Sequence, residues 1–384
     1  MRAVPMPTAR GAVLAAALVH VAAPAVEAAE ISHEPGKGFK LETEDGDFDM
    51  TLGARMQLRY TYEDFDRDRD KEDLSTFEVK RMRVYLKGKA FKHWKYMFQA
   101  DFAKKQKTTL KDAQITWARH TKAQITVGQG KVFFDRQRKT SSGKHTFADV
   151  SLAASEFGID RDVGVMFHGS AGEGKIFQYH LGVWEGEGEG GKNSDTGHLV
   201  VGRLSLNPDG DFKYSESDIE APDSWKWFLD FAGAWNHAPA ALDSDYDGDT
   251  VIDEADDRRY VAGVGVRGRG LYAQGEYYLR TVKPDVPESA GVPDVDSDGW
   301  YAQAGYMVVL EVWEVAVRYS LVDPDDAAED DEKTEAMVGV NRFIKKVGHG
   351  FKLTADVAQI REKTGPGGKE LKDVRGRLQI QLIF

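Results

Sequence analysis

Leu371 to Phe384 reads LKDVRGRLQIQLIF, and from Val374 onward its two faces separate cleanly. Val374, Gly376, Leu378, Ile380, Leu382 and Phe384 fall on one side; Arg375, Arg377, Gln379 and Gln381 fall on the other. A period of two is the signature of a strand, because successive Cβ atoms point to opposite sides of the pleat. One face is wholly apolar and the other carries arginine and glutamine. A strand of about ten residues with that contrast suits a transmembrane barrel, apolar toward lipid and polar toward a water-filled interior. It equally suits an edge strand of a soluble sandwich, so the remaining chain must decide.

Working outward, the same alternation recurs near 47–62, 76–88, 93–103, 110–118, 122–129, 161–169, 175–185 and 197–207. It continues near 224–236, 258–267, 270–282, 299–309, 313–321, 334–344 and 350–361. With 371–384 this gives about sixteen strands. Long connections follow the odd strands, and short ones follow most even strands. That spacing predicts an all-β fold, a transmembrane antiparallel barrel of even strand number. In most of these strands one face keeps Arg, Lys, Gln or Asp, too many to bury in a soluble core. The apolar face is rich in Trp, Tyr and Phe, as interfacial girdles require. Leu58, Val84, Phe98, Ile115, Leu229, Val317 and Ile380 are predicted to face lipid. The stretch VAGVGVRGRG is glycine-rich, and its register is weakly specified.

Composition agrees. Mean hydropathy is −0.49, 30% of the residues are charged, and no run is apolar for the roughly eighteen residues a helical span needs. The chain has no cysteine and carries a net charge of −12, which gives a nucleic-acid role no overall electrostatic support. Residues 1–28 read as a signal peptide, with Arg2 and Arg10 flanking an alanine-rich apolar run and small residues before a cleavage point after Ala28. The alternative is one anchor helix, for which the run is short. Residues 29–46 are then a short periplasmic segment, and 47–384 the barrel.

Glu78-Val-Lys-Arg-Met-Arg-Val-Tyr-Leu-Lys-Gly88, Val127-Gly-Gln-Gly-Lys-Val-Phe133, Thr140-Ser-Ser142, Arg161-Asp-Val-Gly-Val165 and Gly299-Trp-Tyr-Ala-Gln-Ala304 occur in that order, ahead of the ending at Phe384. Together they resemble the phosphate-selective porin O/P family, and the resemblance spans nearly the whole mature chain. It implies homotrimeric outer-membrane channels of sixteen strands, and the terminal Phe resembles an outer-membrane assembly signal. There is one departure. Where the family pattern is similar to TF-x-E-R-S, this chain has Thr146-Phe-Ala-Asp-Val-Ser151, with Val150 in place of the arginine.

The polar phase supplies the expected pore-lining cations: Arg55, Arg59, Arg81, Arg83, Lys87, Arg203, Arg267, Arg280, Arg318, Arg375 and Arg377. Fewer carboxylates share it, namely Asp101, Asp112, Asp230, Glu276, Glu314 and Asp356. Guanidinium groups bind oxyanions in a fork and stay charged, so the pattern predicts a channel for small anions, phosphate or related oxyanions. The competing reading is that these arginines pair with lumen carboxylates and hold the barrel shape. The connection at about 130–160 is read as an inward constriction loop, with Lys131, Arg136, Arg138, Lys139 and Lys144 around the hydroxyls of Ser141 and Ser142. Arg138, Lys139 and Lys144 are expected at the narrow point.

Asp243, Asp245, Asp247, Asp249 and Glu254 follow the spacing of a calcium loop without flanking helices, and Asp294-Val-Asp-Ser-Asp298 is a shorter echo. Ca²⁺ in an outer loop is therefore expected, with no other cofactor. The histidines are scattered and no nucleophile elbow is present, so no enzyme is read here. The expected partners are outer-membrane lipid, lipopolysaccharide, small anions and two further copies of the chain. A weakly selective general porin and a non-conducting structural or adhesin barrel are the alternatives.

Overall fold

The computed structural model describes residues 29–103, 107–193, 196–248, 251–365 and 367–384. The signal-peptide reading lies outside them. β1 (Ala29–Glu34) and β2 (Gly38–Thr43) make a small hairpin in the segment expected to be short and periplasmic. Barrel strands follow as β3 (Asp49–Asp64), β4 (Leu74–Ala90), β5 (Trp94–Asp101), β6 (Thr109–His120) and β7 (Ala123–Lys131). Next come β8 (Arg161–Ala171), β9 (Phe177–Trp184), β10 (Leu199–Leu206), β11 (Lys226–Asn236), β12 (Ala255–Gly268) and β13 (Leu271–Pro284). The last are β14 (Val295–Val309), β15 (Trp313–Asp323), β16 (Lys333–Ile344), β17 (Gly348–Lys363) and β18 (Glu370–Ile383).

Each pairs antiparallel with the next, and β18 pairs with β3 in a register that sets Ile380 against Leu58. Closure therefore comes at sixteen strands, as the alternation predicted. Several strands run past the alternating stretch. β14 begins at Val295, four residues before the expected start, because backbone pairing to β13 continues where both faces are wet and the side chains carry no pattern. Arg269 and Gly270 form the turn between β12 and β13 with φ of 55° and 82°, the left-handed pair that matches hairpin twist.

The outer face is the apolar one. Phe98, Ile115, Val317 and Ile380 are 46%, 57%, 57% and 40% exposed; Leu58 is exposed, and Val84 and Leu229 are half-buried on the same outer phase. A β-bulge opposite Gln57 and Leu58 absorbs Lys80, which keeps Arg81 and Arg83 inward while Val79 faces out. Among the described residues no helix is long and apolar enough to cross a membrane.

The interior is filled from both ends. From the long-loop end, residues 132–160 fold inward with two short helices, α1 (Arg136–Lys139) and α2 (Leu152–Glu156). Phe134, Ala153, Ala154 and Phe157 pack there against inward Trp184, Val201, Tyr278 and Val322. From the opposite end, where the connections are otherwise short, residues 207–225 form an inward strap that opens on a turn in which the Gly210 N–H donates to Asn207 O at 3.0 Å. Phe212 is buried against Phe228 and Tyr272. Gly265 of β12 makes room for Phe228, the ring on which Phe212 packs: a Cβ on Gly265 would lie 2.3 Å from Phe228 Cε1.

Candidate functional site

The inward loop and the wall around it form one hydrogen-bonded unit. Asp135 caps α1, its Oδ1 accepting from the Arg138 N–H at 2.6 Å, and Ser151 caps α2 through Ala154 N–H at 3.1 Å. Gln137 ties the pieces together. Its Oε1 accepts from the Ser151 N–H and Oγ–H at 2.8 Å each, and its Nε2 donates to Glu216 of the strap and to Gln303, both at 3.2 Å. The strap answers through Glu216, wholly buried, which accepts from Thr146 N–H at 2.9 Å and donates its own N–H to Lys144 O at 3.0 Å.

Most of the cations expected to line the pore are held by carboxylates. Arg83 meets Asp101 at 2.7 Å, Arg203 meets Asp230 at 2.5 Å and Arg280 meets Asp257 at 3.0 Å. Arg318 and Arg375 share Glu335 at 2.9 and 2.6 Å. Arg59, Arg81 and Arg377 converge on Asp149 at 2.6, 3.3 and 3.1 Å, and Asp356 holds Arg377 from behind at 2.6 Å. Burial pushes the Asp149 carboxyl upward, yet Arg59, with Arg377 and Arg81, holds it below the usual carboxylate range. The remaining expected pore cations, Arg55, Lys87 and Arg267, have no carboxylate within salt-bridge distance among the described residues. Arg55 donates to Ser141 Oγ at 2.8 Å, Lys87 sits over the Tyr85 ring, and Arg267 donates to the Lys213 and Ser215 carbonyls.

Within the loop the expected constriction residues divide. Arg136 is buried, paired to Asp230 at 2.9 Å and packed on Phe212, Tyr214 and Phe228, its carbon 3.9 Å from the last ring centre. Lys131 donates to the Arg138 and Thr140 carbonyls. Arg138 and Lys139, expected beside Lys144, turn instead into the loop's own fold. Arg138 donates to the Ala154 and Ser155 carbonyls, and Lys139 Nζ lies 3.3 Å from the Phe133 ring centre. A cation at a loop's base finds carbonyls and rings before it finds water. Ser142 is half-buried and gives its carbonyl to Gln57 Nε2. Ser141 and Lys144 are exposed, and both line a cavity of about 880 Å³ at the short-turn end. Arg55, Lys87, Gln99 and His349 line the same cavity, as do Glu34, Glu220 and Glu311.

Sequence reasoning missed Glu216, Gln137 and Lys352. Lys352 was legible, since it lies in phase with Thr354 and Asp356; it is 1% exposed and donates to the His145 carbonyl. Glu216 and Gln137 lie in aperiodic segments that carry no such signal. In the acidic outer loop, carboxylate oxygens of Asp245, Asp247 and Asp253 lie within 4.8 Å of one another; Asp243 and Glu254 are not in that group, and Asp249 lies outside the described residues. Near the shorter echo, Asp298 groups with Asp323 and Asp326 instead of Asp294. Burial and the charge of Asp298 raise the Asp326 pKa.

The sequence model of a family described as phosphate-selective porin O and P matches residues 51–384. An uncharacterized protein of Aquifex aeolicus (strain VF5) is 27% identical over 302 residues, covering 72% of this chain and 68% of that one. Among solved structures, the chain is similar to an anion-selective porin from Comamonas acidovorans at 14% identity and a TM-score of 0.61, covering 88% of this chain and 100% of that one. It is also similar to the outer-membrane channel DcaP of Acinetobacter baumannii at 13% identity and a TM-score of 0.59, covering 91% and 100%. The trimer form of OmpT from Vibrio cholerae matches at 13% identity and a TM-score of 0.53, covering 87% and 99%.

Proposed function

The chain belongs to the phosphate-selective porin O and P family, and on that premise we propose that it passes small anions, phosphate and related oxyanions foremost. It is an outer-membrane β-barrel channel, and the end with mostly short turns is the periplasmic one. The observation that carries the anion reading is the periplasmic cavity, where Arg55, Lys87 and Lys144 have no carboxylate partner among the described residues. With no carboxylate to offset them, these cations leave charge for an oxyanion, and the Ser141 hydroxyl, which accepts from Arg55, can turn its own proton outward as a further donor. The arginines higher in the barrel are paired with carboxylates, which offset most of their charge.

Glu34, Glu220 and Glu311 on the same cavity favour the second reading, a weakly selective diffusion porin. Planar-bilayer reversal potentials under a salt gradient separate the two. Anion preference in the wild type, weakened in Lys87→Gln/Lys144→Gln, supports the proposal; a cation-selective wild type refutes it. Homotrimers are part of the proposal, supported by the trimer form of the similar OmpT, and a native mass of one chain would dispose of that part. The apolar belt fits lipid tails, and the acidic outer loops fit lipopolysaccharide bridged by divalent cations. Channel, family and barrel together point away from an enzyme.

A further inference from the structure

Resting on the anion-channel reading, we propose that Asp149 is a tethered anion that sets selectivity: its carboxylate occupies the place in a guanidinium cluster that a permeating oxyanion would otherwise take. The cluster is built from three strands at the barrel's closing seam. Arg59 of β3 reaches Asp149 Oδ2 at 2.6 Å and Oδ1 at 3.1 Å, Arg81 of β4 reaches Oδ1 at 3.3 Å, and Arg377 of β18 reaches Oδ2 at 3.1 Å. Two oxygens thus accept four N–H groups, which is the recognition pattern a phosphate oxygen pair would meet.

The guanidiniums do not depend on Asp149 for their placement. Gln379 Oε1 accepts from Arg59 at 3.0 and 2.8 Å, Gln57 Oε1 accepts from Arg81 at 3.0 Å, and both Asp356 oxygens accept from Arg377 at 2.6 and 3.1 Å. Nor does the loop depend on the Asp149 side chain. Main-chain groups hold it there: Ala148 N–H donates to Asp356 at 3.0 Å, Arg59 donates to Ala148 O at 2.9 Å, and Arg318 donates to the Asp149 and Val150 carbonyls at 2.9 and 3.2 Å. Phe147 adds an apolar anchor beside Ala316 and Met337. The carboxylate is surplus to the scaffold, and its work is electrostatic.

Its orientation fits the role. The Asp149 side chain is 31% exposed, whereas those of Arg59 and Arg377 behind it are 2% and 3% exposed. The half-buried carboxylate is the accessible member of the cluster and covers guanidinium groups nearly sealed behind it. With Asp149 and Asp356 present, the three arginines exceed their carboxylates by one charge; without Asp149 the excess is two.

The test uses the full chain in planar bilayers, with inorganic phosphate as the probe, on wild type, Asp149→Asn and Asp149→Ala. Retained heat-modifiable mobility on gels certifies the fold, and the near-isosteric Asn variant guards against a collapse of the Ala one. Phosphate is expected to half-block the chloride current at about tenfold lower concentration in Asp149→Ala, the equivalent of roughly one charge-assisted hydrogen bond made available. The reversal potential should move toward that of a pure anion channel in both variants. Adding Arg81→Gln to Asp149→Ala should reverse part of the gain. Wild-type-like block and reversal potential in both single variants would overturn the proposal, as would a double variant that blocks like Asp149→Ala alone. A cation-selective wild type whose variants shift toward anions would sink the anion reading and leave the role of Asp149 standing.

Discussion

Replacing Glu216 with alanine should unlatch the periplasmic strap without unfolding the barrel. The carboxylate is wholly buried and accepts from Thr146 N–H at 2.9 Å, Gln137 Nε2 at 3.2 Å and Gln274 Nε2 at 3.4 Å. Gln137 and Gln274 keep other acceptors in Gln303 and Tyr301, so the group left without a partner is the Thr146 N–H. One orphaned buried donor and two weakened ones cost about 2–3 kcal/mol, and the backbone ladder of the barrel is untouched. At about 1.4 kcal/mol per tenfold, the open fraction of the strap should rise roughly thirty- to 140-fold. Lys213 lies in the strap with its side chain 64% exposed, which makes trypsin the reporter. Cleavage at Lys213, followed by mass spectrometry on the folded protein in detergent, should accelerate by about that factor while opening is fast relative to cutting. Glu216→Gln, which keeps one acceptor for Thr146, should fall between. Cleavage rates of wild type and Glu216→Ala agreeing within about twofold would refute the latch.

The barrel register is checked by a pair of arginines. Val317→Arg on the outer face at mid-strand should cost about 2–4 kcal/mol in lipid, whereas Thr116→Arg on the inner face should be tolerated, and equal refolding yields would show the phase to be wrong. In the outer loop, Ca²⁺ titrated calorimetrically into wild type should release heat that Asp245→Ala lacks, because three close carboxylates repel until a cation joins them; identical heats would leave an ordinary charged loop.

The strands were legible because each has lipid on one side and polar groups on the other, a contrast that a period of two records directly. Leu58, Ile115 and Ile380 needed nothing more than that period. The charge state of the interior was not legible in the same way. Asp257 and Glu335 neutralise Arg280, Arg318 and Arg375, yet neither entered the lumen tally drawn from the sequence. Asp257 stands just before the alternating part of β12, and Glu335 begins a face that continues through Met337 and Gly339, which does not read as polar. Pairing partners sit on neighbouring strands at offsets fixed by the stagger of the barrel, and one chain's sequence does not state that stagger. The loop and the strap are further removed, since Gln137 and Glu216 act through shape in segments with no period at all. The glycine-rich register of β12 had a physical reason outside the strand: it yields to Phe228.

The seam between β18 and β3 has a consequence for how the molecule is made. Phe384 exchanges both backbone hydrogen bonds with Ala54, at 2.6 and 3.0 Å, and the Gln57–Gln381 contact joins residues 324 positions apart. No portion of the chain that lacks β18 can close the cylinder, so the first barrel strand must wait for the last barrel strand to be delivered. During that wait both free margins present rows of unmet N–H and C=O groups, which a hydrocarbon environment does not tolerate. Insertion must therefore be coupled to completion, with nascent chains shielded in the interim. Loss of β18 would leave a slit rather than a shorter wall. Such a product is a substrate for proteases, however well its other fifteen pairings are written.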